Sequence, residues 1–441
     1  MPNPIIVKKK IKKFNKKILV NGDKSLSIRW VLFSSLASGT SEAKNLLLSE
    51  DVLAAIKVIK KLGIKVILKK NICKIYGNGI DGYNYKNNLK LNAENSGTLG
   101  RLILGLLINS PKTIILTGDK SLSKRDFKRV TKPLSKFGAK FTLNRNFSLP
   151  VSFKGTMNLR PIRYNESKGS AQCKSSIIFG GMRTEGKTFI KAKKSRNHTE
   201  LMCKYLNLPI KVKNKKNYDL IEISKINNIR KFNYKIPSDI SSAAFFIVLT
   251  VLTKNSKITI KNVNINPTRT GIITILKKMG VNFIFSNKKY YKGEKISDIS
   301  VESTPSLKSI NCPGSLSSSA IDEFLIIFLV AAKADGVSHF KNLSELNKKE
   351  SPRLEWAVKI LKFMGIKTIV TKDTIKIFGN PRLEINKKII IKNFLKDHRV
   401  FMTSVIAAYS FGGNWTIHDK NSTKTSFPSF LKILNQLKNE I

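Results

Sequence analysis

The sequence is short of acid. Its 441 residues hold 28 Asp and Glu against 81 Lys and Arg, a formal charge of +53. A charge that large invites a nucleic-acid reading. The lysines, however, run through the whole chain instead of gathering in one stripe, and Lys, Asn and Ile are abundant together. That pattern reads as compositional drift of the source genome, so a basic nucleic-acid-binding protein stands only as an alternative. Cysteine is scarce as well. Cys73, Cys173, Cys203 and Cys312 lie far apart, none forms a Cys-x-x-Cys pair, and no His falls at finger spacing. Neither a disulfide framework nor a structural zinc is expected. Long apolar runs are missing: Ala243–Leu249 and Phe324–Ala332 fall short of the ~20 residues of a membrane span. The opening MPNPIIVKKKIKKFNKK is basic and lacks the apolar stretch of a signal peptide. A soluble cytoplasmic protein is expected, of two or three domains at ~100–200 residues each.

What is present is a repeated phrase, a helix-like run that ends in Gly or Pro and turns into a short strand. It occurs around Gly63, Gly138, Pro209, Gly280 and Gly365, and the final helix, Phe430–Leu437, makes a sixth copy with its strand missing. Gly after a helical run is the usual C-cap, and β-prone residues come after it. The chain is therefore read as about six copies of one α/β unit of ~70–85 residues, longer than most solenoid periods. The run Ser238–Thr253 is apolar nearly all round and is expected to be a buried helix, with Ala320–Ala334 repeating it.

Two stretches stand out of phase with this repeat. Gly22–Arg29 reads GDKSLSIR and Gly118–Arg125 reads GDKSLSKR. Each is expected to precede a helix, Trp30–Ser38 or Asp126–Phe137. Gly, Ser and Lys at a helix start gather free N–H groups, a positive dipole end and a mobile cation, which is the chemistry of an anion site. The plainer reading is an ordinary helix start capped by Ser. Two copies that both keep Lys and Arg favour a ligand with two phosphates or carboxylates.

Eleven motifs in order, nearly end to end, carry a resemblance. They are GDKSLSIR, NSGTLGR (Asn95–Arg101), LTGDKSLSKR (Leu116–Arg125), SAQCKS (Ser170–Ser175), SRNHTE (Ser195–Glu200), PSDISSAAFF (Pro237–Phe246), NPTRTG (Asn266–Gly271), IDEF (Ile321–Phe324), KESPR (Lys349–Arg353), DHR (Asp397–Arg399) and KTSFP (Lys424–Pro428). Together they resemble the 5-enolpyruvylshikimate-3-phosphate synthase family, in its class II branch. The resemblance implies the enolpyruvyl transferase fold, an α/β architecture of two domains, each of three βαβαββ repeats (an inside-out α/β barrel). One domain would span 22–236 and the other 1–21 plus 237–441, with a two-strand hinge near 21–22 and 236–237. It also implies the transfer of the carboxyvinyl group of phosphoenolpyruvate to the 5-hydroxyl of shikimate 3-phosphate, a step of chorismate and aromatic amino acid biosynthesis. A monomer is implied, closing on two small-molecule substrates, without cofactor, metal, nucleic acid or membrane.

By the same resemblance Lys24, Ser25, Arg29, Ser170, Ala171, Gln172, Arg196, Asp322 and Lys349 hold shikimate 3-phosphate. Lys24, Asn95, Gly97, Arg125, Gln172, Arg353, Arg399 and Lys424 hold phosphoenolpyruvate. Each substrate carries a carboxylate and a phosphate, and bidentate Arg suits both groups. The reaction needs a base at the 5-hydroxyl, taken as Asp322, and an acid at the vinyl carbon, taken as Glu350, with Lys24 also catalytic. Taken alone, Asp322 reads as an N-cap before Phe324 and Glu350 as a solvated charge. His398 is read as orienting Asp397 and Arg399, and Cys173 as packing. Pro352 stands where the family carries Asp, and Gly100 replaces a bulkier residue. The alternative within the fold is UDP-N-acetylglucosamine enolpyruvyl transferase, whose mobile loop carries a Cys acid; Leu116–Lys132 has none. Gly97 matches the glycine that leaves room beside phosphoenolpyruvate, so the chain is expected to be a glyphosate target.

Overall fold

The computed structural model describes residues 3–69 and 72–438. The chain separates into two compact units. The first is Gly22–Ile236 with Tyr291–Glu294; the second is the segment up to Asn21, Pro237–Tyr290 and the chain from Lys295 onward. Three sheets form in each.

Within the first unit one repeat is complete in sequence order: strand Leu89–Asn92, helix Gly97–Leu106, strand Thr113–Thr117, helix Lys128–Ser135, then strands Lys140–Leu143 and Val151–Lys154. The first two strands pair parallel and the later pairings are antiparallel. Arg163–Glu166 to Tyr218–Ser224 repeats the pattern. The remaining sheet takes its parallel edge from Tyr234–Lys235, beside Ala43 and Lys44. Strands such as Lys187–Lys193 bury alternate residues, the period of a half-covered sheet.

The second unit closes its sheets with borrowed strands. Asn15–Ile18 pairs parallel with Lys257–Asn264. Ile5–Val7 pairs antiparallel with Asn414–Ile417, Ile5 opposite Ile417. The last helix, Phe430–Lys438, is thus succeeded in space by a strand from the opposite end of the chain, which supplies what the sixth repeat lacks in sequence.

Each unit holds three helices that are buried on nearly every side. In the first they are Lys24–Ser35, Gly97–Leu106 and Ala171–Gly181. In the second they are Ile240–Leu252, Phe324–Lys333 and His398–Phe411. Sheets and outer helices cover them; Ile240–Leu252 and Phe324–Lys333 are apolar nearly all round, while Lys24–Ser35 and Ala171–Gly181 also bury Arg29 and Lys174. The outer helices are amphipathic: Glu50–Lys61 buries Val52, Ala55, Ile56 and Ile59 and leaves its lysines outside. The pivot glycines sit at positive φ, +88° at Gly63 and +109° at Gly138, where a side chain would be strained. At the Pro209 pivot Asn207 adopts the left-handed turn instead, at φ +55°.

Two local expectations are corrected. The helix expected over Trp30–Ser38 begins within the stretch before it and runs Lys24–Ser35, whereas that expected over Asp126–Phe137 is present as Lys128–Ser135, after a 3-10 turn, Leu122–Lys124, and an extended Arg125. Capping is by Asp and not Ser: Asp23 accepts from Leu26 N at 2.9 Å and Asp119 from Leu122 N at 2.7 Å. Ala320–Ala334 is likewise broken, into Ser317–Ala320 and Phe324–Lys333. The N-cap of the latter is Glu323, which frees Asp322 from that role.

The hairpin of Phe283–Tyr291 and Glu294–Glu302 has its tip in the first unit. There Glu294 meets His198 Nδ1 at 2.7 Å, both side chains buried, and Tyr291 OH accepts from Lys235 N at 2.8 Å. Nothing local in the sequence marks this pairing.

Packing in the second unit rests on aromatic contacts to helix Ile240–Leu252. Phe246 is fully buried, with ring centroids 5.9 Å from Phe427 and 5.8 Å from Phe430. Phe246→Ala is expected to lower stability by ~3–5 kcal/mol, the usual cost of emptying a buried aromatic site, measured by urea unfolding.

Candidate functional site

The residues singled out by the sequence collect at the N-terminal ends of the buried helices, together with the starts of two outer helices, His198–Tyr205 and Arg353–Phe363. A helix start exposes unpaired N–H groups and a positive dipole end. Three such ends joined by side-chain contacts make an anion-binding surface in each unit.

In the first unit the ends are tied by polar contacts. Arg29 is buried; its Nε donates to Thr199 Oγ1 at 2.7 Å, Nη2 to Ser175 Oγ at 3.0 Å and Nη1 to the Ser25 carbonyl at 3.1 Å. Burial lowers this guanidinium to about 10, against the opposing pull of Glu200 and Asp23. Arg101 Nη1 donates to Gln172 Oε1 at 2.6 Å, and Gln172 Nε2 donates to Thr98 Oγ1 at 3.0 Å. Ser170 caps its helix, accepting from Cys173 N at 3.3 Å, with Ala171 as the next residue. Arg125 reaches Asn95 Oδ1 and Ser121 Oγ, each at 3.4 Å. Arg196 is half-buried, and its charge is felt by Arg29.

Lys24 Nζ lies 2.9 Å from Asp51 Oδ2. Asp51, at the start of the next helix, is thus the counter-charge of the cation expected to touch both substrates. Gly97 opens its helix where space is tight: a Cβ there would lie 2.9 Å from Arg101 Nη1 and 3.1 Å from Arg125 Nη1. Cys173 is buried, its thiol pushed up to about 12 chiefly by desolvation, in keeping with packing and not nucleophilic chemistry.

The second unit brings Asp322, Lys349, Glu350, Arg353 and Arg399 into one network. Asp322 Oδ1 is 3.2 Å from Lys349 Nζ and 3.3 Å from Arg353 Nη1. Arg353 also contacts Glu350 through Nη2, and its Nε donates to Asp397 Oδ2 at 2.9 Å. Arg399 Nη1 donates to the Asp322 carbonyl at 2.5 Å, and Arg399 N to Asp397 Oδ1 at 2.9 Å. Pro352 sits at the N-cap of helix Arg353–Phe363, where its missing N–H costs no helical bond, and its carbonyl accepts from Trp356 N. His398 Nδ1 meets Thr425 Oγ1 at 3.1 Å, a contact that fixes the 3-10 turn Lys420–Thr425. Lys424 on that turn is exposed.

Several contributors escaped the sequence reading. Thr199 and Ser175 lie inside SRNHTE and SAQCKS, so the motifs held the signal. Asp397 was read only through its neighbour, yet it is the principal partner of Arg353. Burial opposes ionisation of both groups, but their attraction outweighs it: Arg353 is raised above the usual arginine value and the Asp397 carboxyl is held below the usual carboxylate range. Among the described residues no three His, Cys, Asp or Glu side chains form a group that could hold a metal, and no helix is long and apolar enough to cross a membrane.

Comparison with known proteins gives one consistent result. The sequence model of the family described as EPSP synthase (3-phosphoshikimate 1-carboxyvinyltransferase) matches residues 8–434. The 3-phosphoshikimate 1-carboxyvinyltransferase of Caldicellulosiruptor bescii is 39% identical over 96% of this chain and 96% of its own. That of Ruthia magnifica is 40% identical over 95% and 94%. The solved EPSP synthase of Acinetobacter baumannii is 34% identical, with a TM-score of 0.87 over 99% of this chain and 98% of its own. The enolpyruvyl transferase NikO of Streptomyces tendae, 13% identical, matches with a TM-score of 0.77 over 99% and 98%, a likeness of fold alone. The enolpyruvyl transferase fold expected from the sequence is the fold observed.

The Arg353–Asp397 pair yields a test. An unfolded Asp titrates near ~3.9; the folded group titrates lower. The stabilisation is therefore complete above about pH 5 and is lost as pH falls through the folded value. Asp397→Asn is expected to cost about 3 kcal/mol at pH 7, with the gap from wild type narrowing only below about pH 4, read from denaturant unfolding across pH.

Proposed function

The chain belongs to the EPSP synthase family, the 3-phosphoshikimate 1-carboxyvinyltransferases, and from that premise we propose how its residues divide the work. The reaction moves the carboxyvinyl group of phosphoenolpyruvate to the 5-hydroxyl of shikimate 3-phosphate and releases phosphate. Lys24, Ser25, Arg29, Ser170, Ala171, Gln172 and Arg196 of the first unit receive shikimate 3-phosphate, together with Asp322 and Lys349. Phosphoenolpyruvate is received by Asn95, Gly97 and Arg125, by Arg353, Arg399 and Lys424, and by Lys24 and Gln172, which touch both substrates. The protein acts as a cytoplasmic monomer and calls on no cofactor.

The observation that carries this division is that Asp322 and Glu350 lie on the same arginine, Arg353, with Lys349 beside Asp322. Asp322 takes the proton from the 5-hydroxyl as the hydroxyl oxygen attacks the phosphate-bearing carbon of phosphoenolpyruvate. Glu350 delivers a proton to the vinyl carbon, giving a tetrahedral intermediate. Elimination then returns that proton to Glu350 as the C–O bond to phosphate breaks. The Arg353 contact stabilises Glu350 as the carboxylate left after it protonates the vinyl carbon, the form that takes the proton back in the elimination. Fixed guanidinium groups on the donor supply charge stabilisation without reorganisation during reaction.

Purified protein supplied with shikimate 3-phosphate and phosphoenolpyruvate is expected to release phosphate, and Asp322→Ala to leave binding of both substrates largely intact while cutting kcat by ~10²–10⁴. Release with UDP-N-acetylglucosamine in place of shikimate 3-phosphate, and none with the latter, would overturn the reading. Glyphosate is expected to inhibit competitively with phosphoenolpyruvate, because the tight space beside Gly97 is free of any side chain of its own; full activity at millimolar inhibitor would refute this.

A further inference from the structure

One buried acid is not used by this division of work. Glu323 is fully buried and comes directly after the base Asp322. It occupies an N-cap position, yet its side chain caps nothing. All three buried helices of the second unit carry an acid there, Asp239, Glu323 and Asp397, and each acid has an arginine. Asp239 Oδ1 takes Arg269 Nη2 at 3.0 Å, Asp397 takes Arg353, and Glu323 Oε1 lies 3.5 Å from Arg399 Nη1. The same Oε1 accepts from Ser241 Oγ at 2.5 Å, and Ser241 in turn accepts from Arg269 Nη2 at 2.8 Å. Oε2 is buried and has no hydrogen-bond partner among the described residues.

A buried carboxylate is tolerated only beside compensating charge, and the cation beside this one is Arg399. Arg399 is gripped on a single nitrogen: Nη1 faces both the Asp322 carbonyl, at 2.5 Å, and Glu323. A guanidinium held at one corner presents its other N–H groups, Nη2 and Nε, in a fixed plane, the arrangement that reads a carboxylate bidentately. We propose that Glu323 is a positioning residue for the donor substrate: it sets the plane of Arg399 and thereby the affinity for phosphoenolpyruvate, without touching either substrate. The inference rests on the assignment of Arg399 to phosphoenolpyruvate.

The test compares variants in steady-state kinetics with each substrate varied in turn. Glu323→Gln keeps shape and hydrogen bonding and removes the charge. It is expected to raise KM for phosphoenolpyruvate ~10-fold while KM for shikimate 3-phosphate stays within ~2-fold. A residue that only supports the fold would shift both constants together, and that result would overturn the proposal. Arg399→Lys serves as the reference. If it raises KM for phosphoenolpyruvate and Glu323→Gln does not, Glu323 has no positioning role and the assignment of Arg399 stands. If Arg399→Lys leaves that constant unchanged, the assignment itself fails and the inference with it. Should Glu323→Gln not fold, Glu323→Asp keeps the charge but withdraws it by one methylene; a smaller rise confined to phosphoenolpyruvate supports the proposal, and wild-type constants sink it.

Discussion

Three helices buried side by side with linked N-terminal ends set the terms for everything else in each unit. Their apolar surfaces demand full cover, which the sheets and outer helices provide. Their starts present a problem of the same sign three times over, since each brings unpaired N–H groups and partial positive charge into one place. Some negative group must answer it. The two units answer differently. In the second, the cap positions hold Asp239, Glu323 and Asp397, each paired with an arginine. In the first, the caps are Asp23, Ser96 and Ser170. Two of its three helix starts therefore have an uncharged cap, although Glu166 accepts from Ser170 N at 3.0 Å, and Lys24, Arg29, Arg101 and Arg125 add to the positive field. Such a surface suits an anionic ligand.

The first unit meets its cations differently: Lys24 has Asp51, and Arg29, Arg101 and Arg125 donate to hydroxyl and amide groups. Arg353 is the pivot of the acid side. It binds three carboxylates, Asp322, Glu350 and Asp397, with the last wholly buried. The buried pair anchors the guanidinium, and the two remaining carboxylates inherit a fixed position from it. In the proposed mechanism proton transfer needs that fixity more than it needs strength, because acid and base each meet a different atom.

Much of this was legible in the chain. The Gly pivots showed the repeat because a positive-φ residue is needed wherever a helix turns into a strand, and Gly63, Gly138, Gly280 and Gly365 supply it. The all-apolar runs marked buried helices because a helix without a polar face has no side to turn to water. The twin stretches were harder. Both begin with the same capping bond, from Leu26 N to Asp23 and from Leu122 N to Asp119. The residues beyond that bond decide the outcome. Ile28, Trp30, Val31, Leu32 and Phe33 continue one helix into the core, whereas Lys124, Arg125 and Asp126 would bring charge there, so the second chain turns outward after a 3-10 turn. The Asp51–Lys24 and Glu294–His198 pairs were not legible, since each joins residues whose proximity only the finished fold creates.

The strand Ile5–Val7 beside Asn414–Ile417 bears on how the protein is made. The first unit is contiguous apart from the hairpin tip Tyr291–Glu294, so nearly all of it leaves the ribosome before the second unit has much more than its opening segment. The sheet that joins Ile5–Val7 to Asn414–Ile417 cannot form until both strands have been made. Pairing over such a sequence distance is slow, because the loop must close before the contact rewards it. Until then Asn414–Ile417 is a strand with an open edge.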